Sequence, residues 1–251
     1  MDALERRKRL KHYFYKLRLG KPLSWFAIFL FFNYISGKQL IGLNRLAFIG
    51  LIISLSIIVY RLIRHYTRPD DAAVDAWQKE DIDKLIQQSY HKLGITKEDE
   101  VSEPLLITSP VYWHVRGIDI KEVALRKGKD NFLRFSVYQI TIFHLHENIL
   151  GSYICHYNFL RGAFLNEITN EYHYKDIVSV STQETSSNYH LPDGQKLIHA
   201  QEFRLSVSSG ESIKVIINPY EIGKNENAEL PPTGADRAVS VIRNMLRTKK
   251  V

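Results

Sequence analysis

Residues 35–46, ISGKQLIGLNRL, interrupt the most apolar part of the chain with Lys38 and Arg45. On one side, residues 23–36, LSWFAIFLFFNYIS, carry no charge. On the other, residues 46–63, LAFIGLIISLSIIVYRLI, carry only Arg61. At ~1.5 Å per residue the whole stretch 23–63 would form a helix of about 60 Å, twice the ~30 Å hydrocarbon core of a bilayer. A single straight span would leave apolar turns in water. A turn within 36–45 gives two segments instead, about 23–43 and 46–63, with Lys38 reaching to an interface. Leu, Ile and Phe occupy all faces of 46–60, which argues against a hairpin buried in a soluble core. No short basic leader with a small-residue cleavage site precedes the first segment, so it does not read as a signal peptide.

The charge distribution points the same way. The chain has 251 residues and a formal net charge of +7, and its mean hydropathy of −0.21 is that of an ordinary soluble protein. Residues 1–21 hold eight of the basic residues, Arg6, Arg7, Lys8, Arg9, Lys11, Lys16, Arg18 and Lys21, against Asp2 and Glu5. Residues 22–69 add Lys38, Arg45, Arg61, Arg64 and Arg68 with no acid, leaving 70–251 at a net of −4. A nucleic-acid-binding domain carries its basic patch on the folded part, so nucleic acid is not an expected partner. The basicity flanks the apolar segment instead. Trp25 and neighbouring tyrosines suit the interface, and the excess of Lys/Arg outside the two segments places both termini in the cytosol. The expected membrane-interface residues are therefore the eight N-terminal cations, Trp25, Lys38, Arg45, Arg61 and Arg64.

The expected organisation is a basic cytosolic tail (1–21), a transmembrane hairpin (22–66), a helical linker (67–104) and a β-rich cytosolic domain (105–251). In the linker Val74, Trp77, Ile82, Leu85, Ile86, Tyr90 and Leu93 recur at helical spacing, with a break near Lys79-Glu80 and a stop at Gly94. Strands are expected at 105–108, 111–115, 122–126, 132–146 (with a bend), 149–160, 164–168 and 171–183. Residues 202–208 and 211–217 form a hairpin across Ser209-Gly210, with Phe203, Leu205 and Val207 alternating against polar residues. Residues 218–232 read as a loop. A last helix over 234–248 places Val239, Ile242, Met245 and Leu246 on one face. The fold class is α+β: an antiparallel sheet or small barrel with a C-terminal capping helix.

This order of elements resembles the pleckstrin-homology-like superfamily, especially bacterial members that follow transmembrane segments. The resemblance covers about 132–248 and rests on YQITIFHLHENIL, EYHYKDIVSVS, FRLSVSSGESIKVII and the terminal helix. That helix lacks the Trp common in eukaryotic members. The first hairpin loop, His146-Glu147-Asn148, lacks the Lys/Arg cluster of phosphoinositide binders. The resemblance therefore implies a protein-binding or structural use.

Chemistry-bearing constellations are few. His144 and His146 stand two apart on a strand and share a face, which makes them candidate metal ligands. A two-residue turn at 147–148 would put His156 opposite Gln139, roughly 17 Å along the strand from His144 and out of reach. Solvent-facing histidines without metal are the plainer reading, so no cofactor is expected. Cys155, the single cysteine, reads as a buried structural thiol. No phosphate-binding, dinucleotide or hydrolase motif occurs. The expectation is a non-enzymatic, membrane-anchored subunit, bacterial and in the inner membrane, whose partners are the bilayer and either membrane-associated proteins or further copies of itself. Two alternatives stand beside it. One is a two-helix effector gated by a nucleotide or other small ligand, resembling those of bacterial nucleotide-signalling defence. The other is a single-span secretion-system component with a periplasmic domain.

Overall fold

The computed structural model describes residues 2–36, 41–192, 194 and 196–249. The centre of the expected turn, Lys38 included, lies outside the described residues. The chain divides into two units, Met1–Asp70 and Asp71–Val251.

In the first unit α1 spans Ala3–Tyr13, α2 Gly20–Ser36 and α3 Ile41–Tyr66. Helices α2 and α3 lie side by side and antiparallel. The Phe29 ring sits where a side chain on residue 50 would be, since a Cβ built on Gly50 falls 2.6 Å from it. Near one end the Arg61 guanidinium donates to the Arg18 carbonyl. Small residues allow such close approach between apolar helices. Gly50→Leu should therefore force the helices apart at a cost of about 1–3 kcal/mol. Thermal unfolding in detergent would show it, while Ile53→Leu, at an exposed position, should change little.

Among the described residues one helix, Arg45–Tyr66, is long and apolar enough to cross a membrane. Two such segments were expected. Helix α2 is equally apolar but begins only at Gly20 and has 17 residues, about 26 Å at helical rise, which is at the lower limit for a span.

In the second unit, helix α4 (Asp71–Leu93) is followed by β1 (Leu105–Pro110), β2 (Leu125–Lys127), β3 (Leu133–Phe135), β4 (Val137–Leu145), β5 (Ile149–Asn158) and β6 (Ala163–His173). Strands β7 (Ile177–His190), β8 (Lys196–Val207) and β9 (Ser212–Asn218) come next, then α5 (Tyr220–Glu226) and α6 (Ala235–Lys249). The fold is α+β. Its strands form a four-stranded antiparallel sheet β1-β4-β5-β6, a small β2-β3 pair and a three-stranded sheet β7-β8-β9. The inner faces of the two larger sheets share one core. Phe143, Leu145, Leu150 and Ile154 from the first meet Val180, Phe203, Leu205 and Val215 from the second, and α6 adds Ala235, Ala238, Val239 and Ile242.

Strand β4 is buried on both faces except at Gln139, because α4 covers the outer side of its sheet. The β4–β5 register is the expected one, with Leu145 opposite Leu150 and Gln139 opposite His156. The expected bend within 132–146 falls at Ser136. Its hydroxyl donates to the Glu122 carbonyl and accepts from the Ala124 amide, at 2.6 and 2.7 Å, and this holds the corner.

Several expected elements differ. Residues 111–115 are buried apart from His114 but are not a strand, since pairing with β4 ends at Pro110 opposite Tyr138, near where β4 itself begins. The 122–126 strand shrinks to Leu125–Lys127. The 171–183 strand is cut by a 3-10 turn at Tyr174–Asp176, where the chain passes from one sheet to the other. The 218–232 loop contains α5. No break interrupts α4 at Lys79-Glu80; both residues are exposed and leave the buried face continuous.

Candidate functional site

The first unit gathers its cations at one end. The His12 ring contacts the Arg64 carbonyl, Arg68 Nη2 donates to the Tyr15 carbonyl at 2.9 Å, and the Arg64 guanidinium lies 4.2 Å from the centre of the Tyr15 ring. These contacts lace residues 12–18 to 61–68, so the segment after α1 and the end of α3 lie together. Lys8, Arg9, Lys11, Lys16, Arg18 and Lys21 are exposed, Arg7 is half-buried and Arg6 is buried. Arg9 pairs with Glu5 at 2.7 Å. Trp25, on the second turn of α2, is 52% exposed. Arg45 is exposed near the opposite end of α3, about 24 Å along the axis from Arg61.

Between these polar ends the helices present apolar side chains outward. Among the described residues, eight large apolar residues of α2 and ten of α3 are exposed, including Phe31, Phe32, Leu46, Phe48 and Ile53. The patch is larger than the contiguous apolar patches that soluble monomers usually expose.

Of the two candidate metal ligands in the second unit, His144 is placed by β4 and His146 follows the end of that strand, and neither faces solvent. His144 is wholly buried. Its Nε2 lies 2.8 Å from Ser89 Oγ on α4, and its Nδ1 lies 2.5 Å from Glu100 Oε1. Tyr90 donates to the other Glu100 oxygen at 2.6 Å. His146 Nδ1 contacts the Asp99 carbonyl at 3.0 Å, and its buried Nε2 has no partner among the described residues. No group of three or more His, Cys, Asp or Glu among the described residues could hold a metal ion.

Ser89, His144 and Glu100 stand in the order of a nucleophile, base and orienting acid, a feature the sequence reading missed. The three residues lie 55 and 44 positions apart, and no short-range motif marks them. Two observations set the network apart from a working triad. The Ser89 hydroxyl donates to the Ile86 carbonyl of its own helix at 2.7 Å, and Ser89 and His144 are both fully buried. A carbonyl under attack has to reach Oγ, and burial of Ser89 closes that approach. The network instead ties α4 and the 96–100 segment to β4. Burial holds the His144 imidazole below its ordinary range against the opposing pull of Glu100.

Other polar contacts complete the docking of α4. Asp81 accepts from Tyr157 at 2.5 Å and Asp71 from the Lys129 amide at 2.8 Å. Arg134 on β3 grips Asp75 through two bonds of 2.6 and 2.7 Å, and Asp130 through two more. Cys155 is buried, with its thiol pushed up to about 12 by burial. It should resist maleimide in the native protein and react on unfolding, which mass spectrometry would read directly. His156 is on the opposite face of β5, at the Gln139 register, away from His144.

Comparison of the chain with protein-family models, curated proteins and solved structures finds no match.

Proposed function

We propose that the chain is a non-enzymatic membrane-anchored protein. Helices α2 and α3 form the anchor, and the unit Asp71–Val251 acts in the cytosol as a binding domain within a larger membrane assembly. One observation carries the reading: two antiparallel helices expose eighteen large apolar side chains among the described residues, while most of the unit's cations gather at one end. The apolar surface calls for lipid or a membrane-embedded partner. Cations at the shared end suit the side of a bilayer that retains positive charge. The length of α2 is met by tilt and local thinning of the bilayer, each at a modest cost per ångström.

The layout of the second unit supports a pleckstrin-homology-like reading: a four-stranded antiparallel sheet, a three-stranded sheet and a terminal helix sharing one core. The β2-β3 pair between β1 and β4, and helix α4 on the outer face of the four-stranded sheet, are additions to that plan. In this reading the domain binds protein, and the anchor raises its effective concentration toward partners in the same membrane. Purification of the full chain from membranes in mild detergent tests it. A partner or further copy retained at fixed stoichiometry is expected. A lone monomer that turns over a small molecule would overturn the reading.

A further inference from the structure

Strand β6 is the last strand in the order β1-β4-β5-β6. It runs for 11 residues, and none of them is buried. Sheet edges are commonly protected by short length, Lys or Pro, and Ala163–His173 contains no Lys, Arg or Pro. Its one irregularity is a bulge opposite Cys155, with Asn166 at a φ of 55°, so the straight part of the edge is 167–173. We propose that this edge pairs antiparallel with the same edge of a second copy of the chain, with Asn170 facing Asn170 across a two-fold axis. The inference rests on the reading of this unit as a protein-binding domain and names the partner.

The register follows from backbone direction and charge. The Tyr174 amide donates to the Asn148 carbonyl at 3.3 Å, and the His146 amide to the Ile149 carbonyl at 3.0 Å. In an antiparallel ladder these groups alternate in direction from residue to residue. The first bond therefore turns the backbone groups of Ile168, Asn170 and Tyr172 toward β5, opposite Ile154, Ser152 and Leu150. The second agrees, because it turns the odd-numbered residues of β5 toward β4. The N–H and C=O groups of Glu167, Thr169, Glu171 and His173 then point out of the sheet. A self-pair has to join these residues to one another. Centred on Thr169 it would set Glu167 against Glu171 of the second copy, and centred on Glu171 it would set that residue against itself. Like charges directly opposite one another are destabilising. Centred on Asn170, the whole of 167–173 pairs: Glu167 meets His173, Ile168 meets Tyr172 and Thr169 meets Glu171. Tyr153 and Lys92 hold the Glu167 carboxylate at 2.8 and 3.2 Å, which fixes its place on the outer face.

The apolar residues of the edge supply a separate observation. Ile168 lies opposite the core residue Ile154, so it is on the inner face of the sheet, yet it is 51% exposed. Tyr172 is on the same face and only partly buried against the core. The Asn170-centred register sets Ile168 of each copy against Tyr172 of the other, an aromatic and β-branched pair of the kind that stabilises neighbouring strands. The two four-stranded sheets become one. The contact is small beside a standard interface, and confinement of both copies to one membrane raises their effective concentration toward each other.

Disulfide trapping of the full chain in its membranes tests the register. In a Cys155→Ser background, Asn170→Cys lies on the axis at a non-hydrogen-bonded pair, where Cα atoms stand about 4.5 Å apart, within disulfide reach. Thr169→Cys would lie a diagonal step from its counterpart, about 8 Å away and beyond that reach. Mild oxidation is expected to give a covalent dimer with Asn170→Cys and little with Thr169→Cys. Adding His173→Glu, at an exposed position, brings a second carboxylate against Glu167. It should remove most of the trapped dimer while keeping the parent unfolding temperature. Thr169→Pro deletes an outward N–H and spares the β5 ladder, and it should do the same. The inference is overturned if Asn170→Cys stays monomeric on oxidation, if Thr169→Cys is trapped as readily, or if His173→Glu leaves trapping unchanged. In each of those cases a different protein retained at fixed stoichiometry keeps the binding-domain reading, whereas a lone monomer that turns over a small molecule ends both.

Discussion

Arg134→Met is expected to destabilise the unit Asp71–Val251 by about 3 kcal/mol, the lower end of the range for breaking a buried charge pair. The Arg134 side chain is only 7% exposed, whereas Asp75 and Asp130 are about half exposed and can be partly rehydrated. That solvent access keeps the cost away from the upper end. The loss corresponds to a fall of roughly 6–12 °C in unfolding temperature for a unit of this size. The same guanidinium explains Gly128, where an added Cβ would lie 2.1 Å from Arg134 Nη1. Gly128→Ala should displace the guanidinium and cost a similar amount. In the double variant the two losses should not add, because both remove one contact set. Titration gives an independent reading. The Arg134 bond holds the Asp130 carboxyl at about 2, and in Arg134→Met it should return to the ordinary carboxylate range. Additive losses, or an unchanged Asp130 titration, would show that the clamp is not what joins β3 to α4.

The second large effect concerns His144. Replacing it with leucine would leave Glu100 Oε1 without its partner in the interior, while Ser89 and Tyr90 keep their bonds to the Ile86 carbonyl and to Glu100. A loss of about 3 kcal/mol is expected, because the group left unpaired is a carboxylate. The parent protein should also respond to acid through this residue. Its folded-state pKa lies below the ordinary 6.5 because burial disfavours the charged ring. The unfolded chain therefore binds the proton first as pH falls. Stability is fully present above about pH 6.5 and declines below it, by up to about 1.4 kcal/mol per pH unit for one proton. His156, also lowered by burial, adds to the same slope. In His144→Leu the slope below pH 6.5 should shrink to the part that His156 supplies. Chemical denaturation at a series of pH values measures this, and an unaltered slope in the variant would remove His144 from the account.

The main lines of the α+β domain were legible because period and turn chemistry agree in its central strands. Glu147-Asn148 fixed a two-residue turn, and that turn fixed the β4–β5 pairing down to Gln139 opposite His156. Alternation around Phe203, Leu205 and Val207 likewise gave the last hairpin. The reading failed where burial does not follow apolarity. The buried face of α4 includes Asp71, Asp81 and Ser89, each satisfied by a distant partner, so a hydrophobic count cannot find it. Trp77 and Ile82, expected on that face, are only half-buried. Residues 111–115 have strand composition but no neighbouring strand to pair with. The His144 network depends on side chains brought together from far apart in the sequence, and no spacing rule encodes it. The apolar helices raise the reverse difficulty. Their composition is legible, but the length of α2 depends on where helix begins near Gly20, which composition does not set.

The side on which each segment lies tests the central claim most directly. In a Cys155→Ser background, single cysteines at three exposed positions, Lys8, Arg45 and Lys224, can be labelled with a membrane-impermeant maleimide. Sealed vesicles of both orientations supply the comparison. A hairpin anchor predicts that positions 8 and 224 react from one side and position 45 from the other. Labelling of positions 8 and 224 from opposite sides, or of all three from one side, would contradict it.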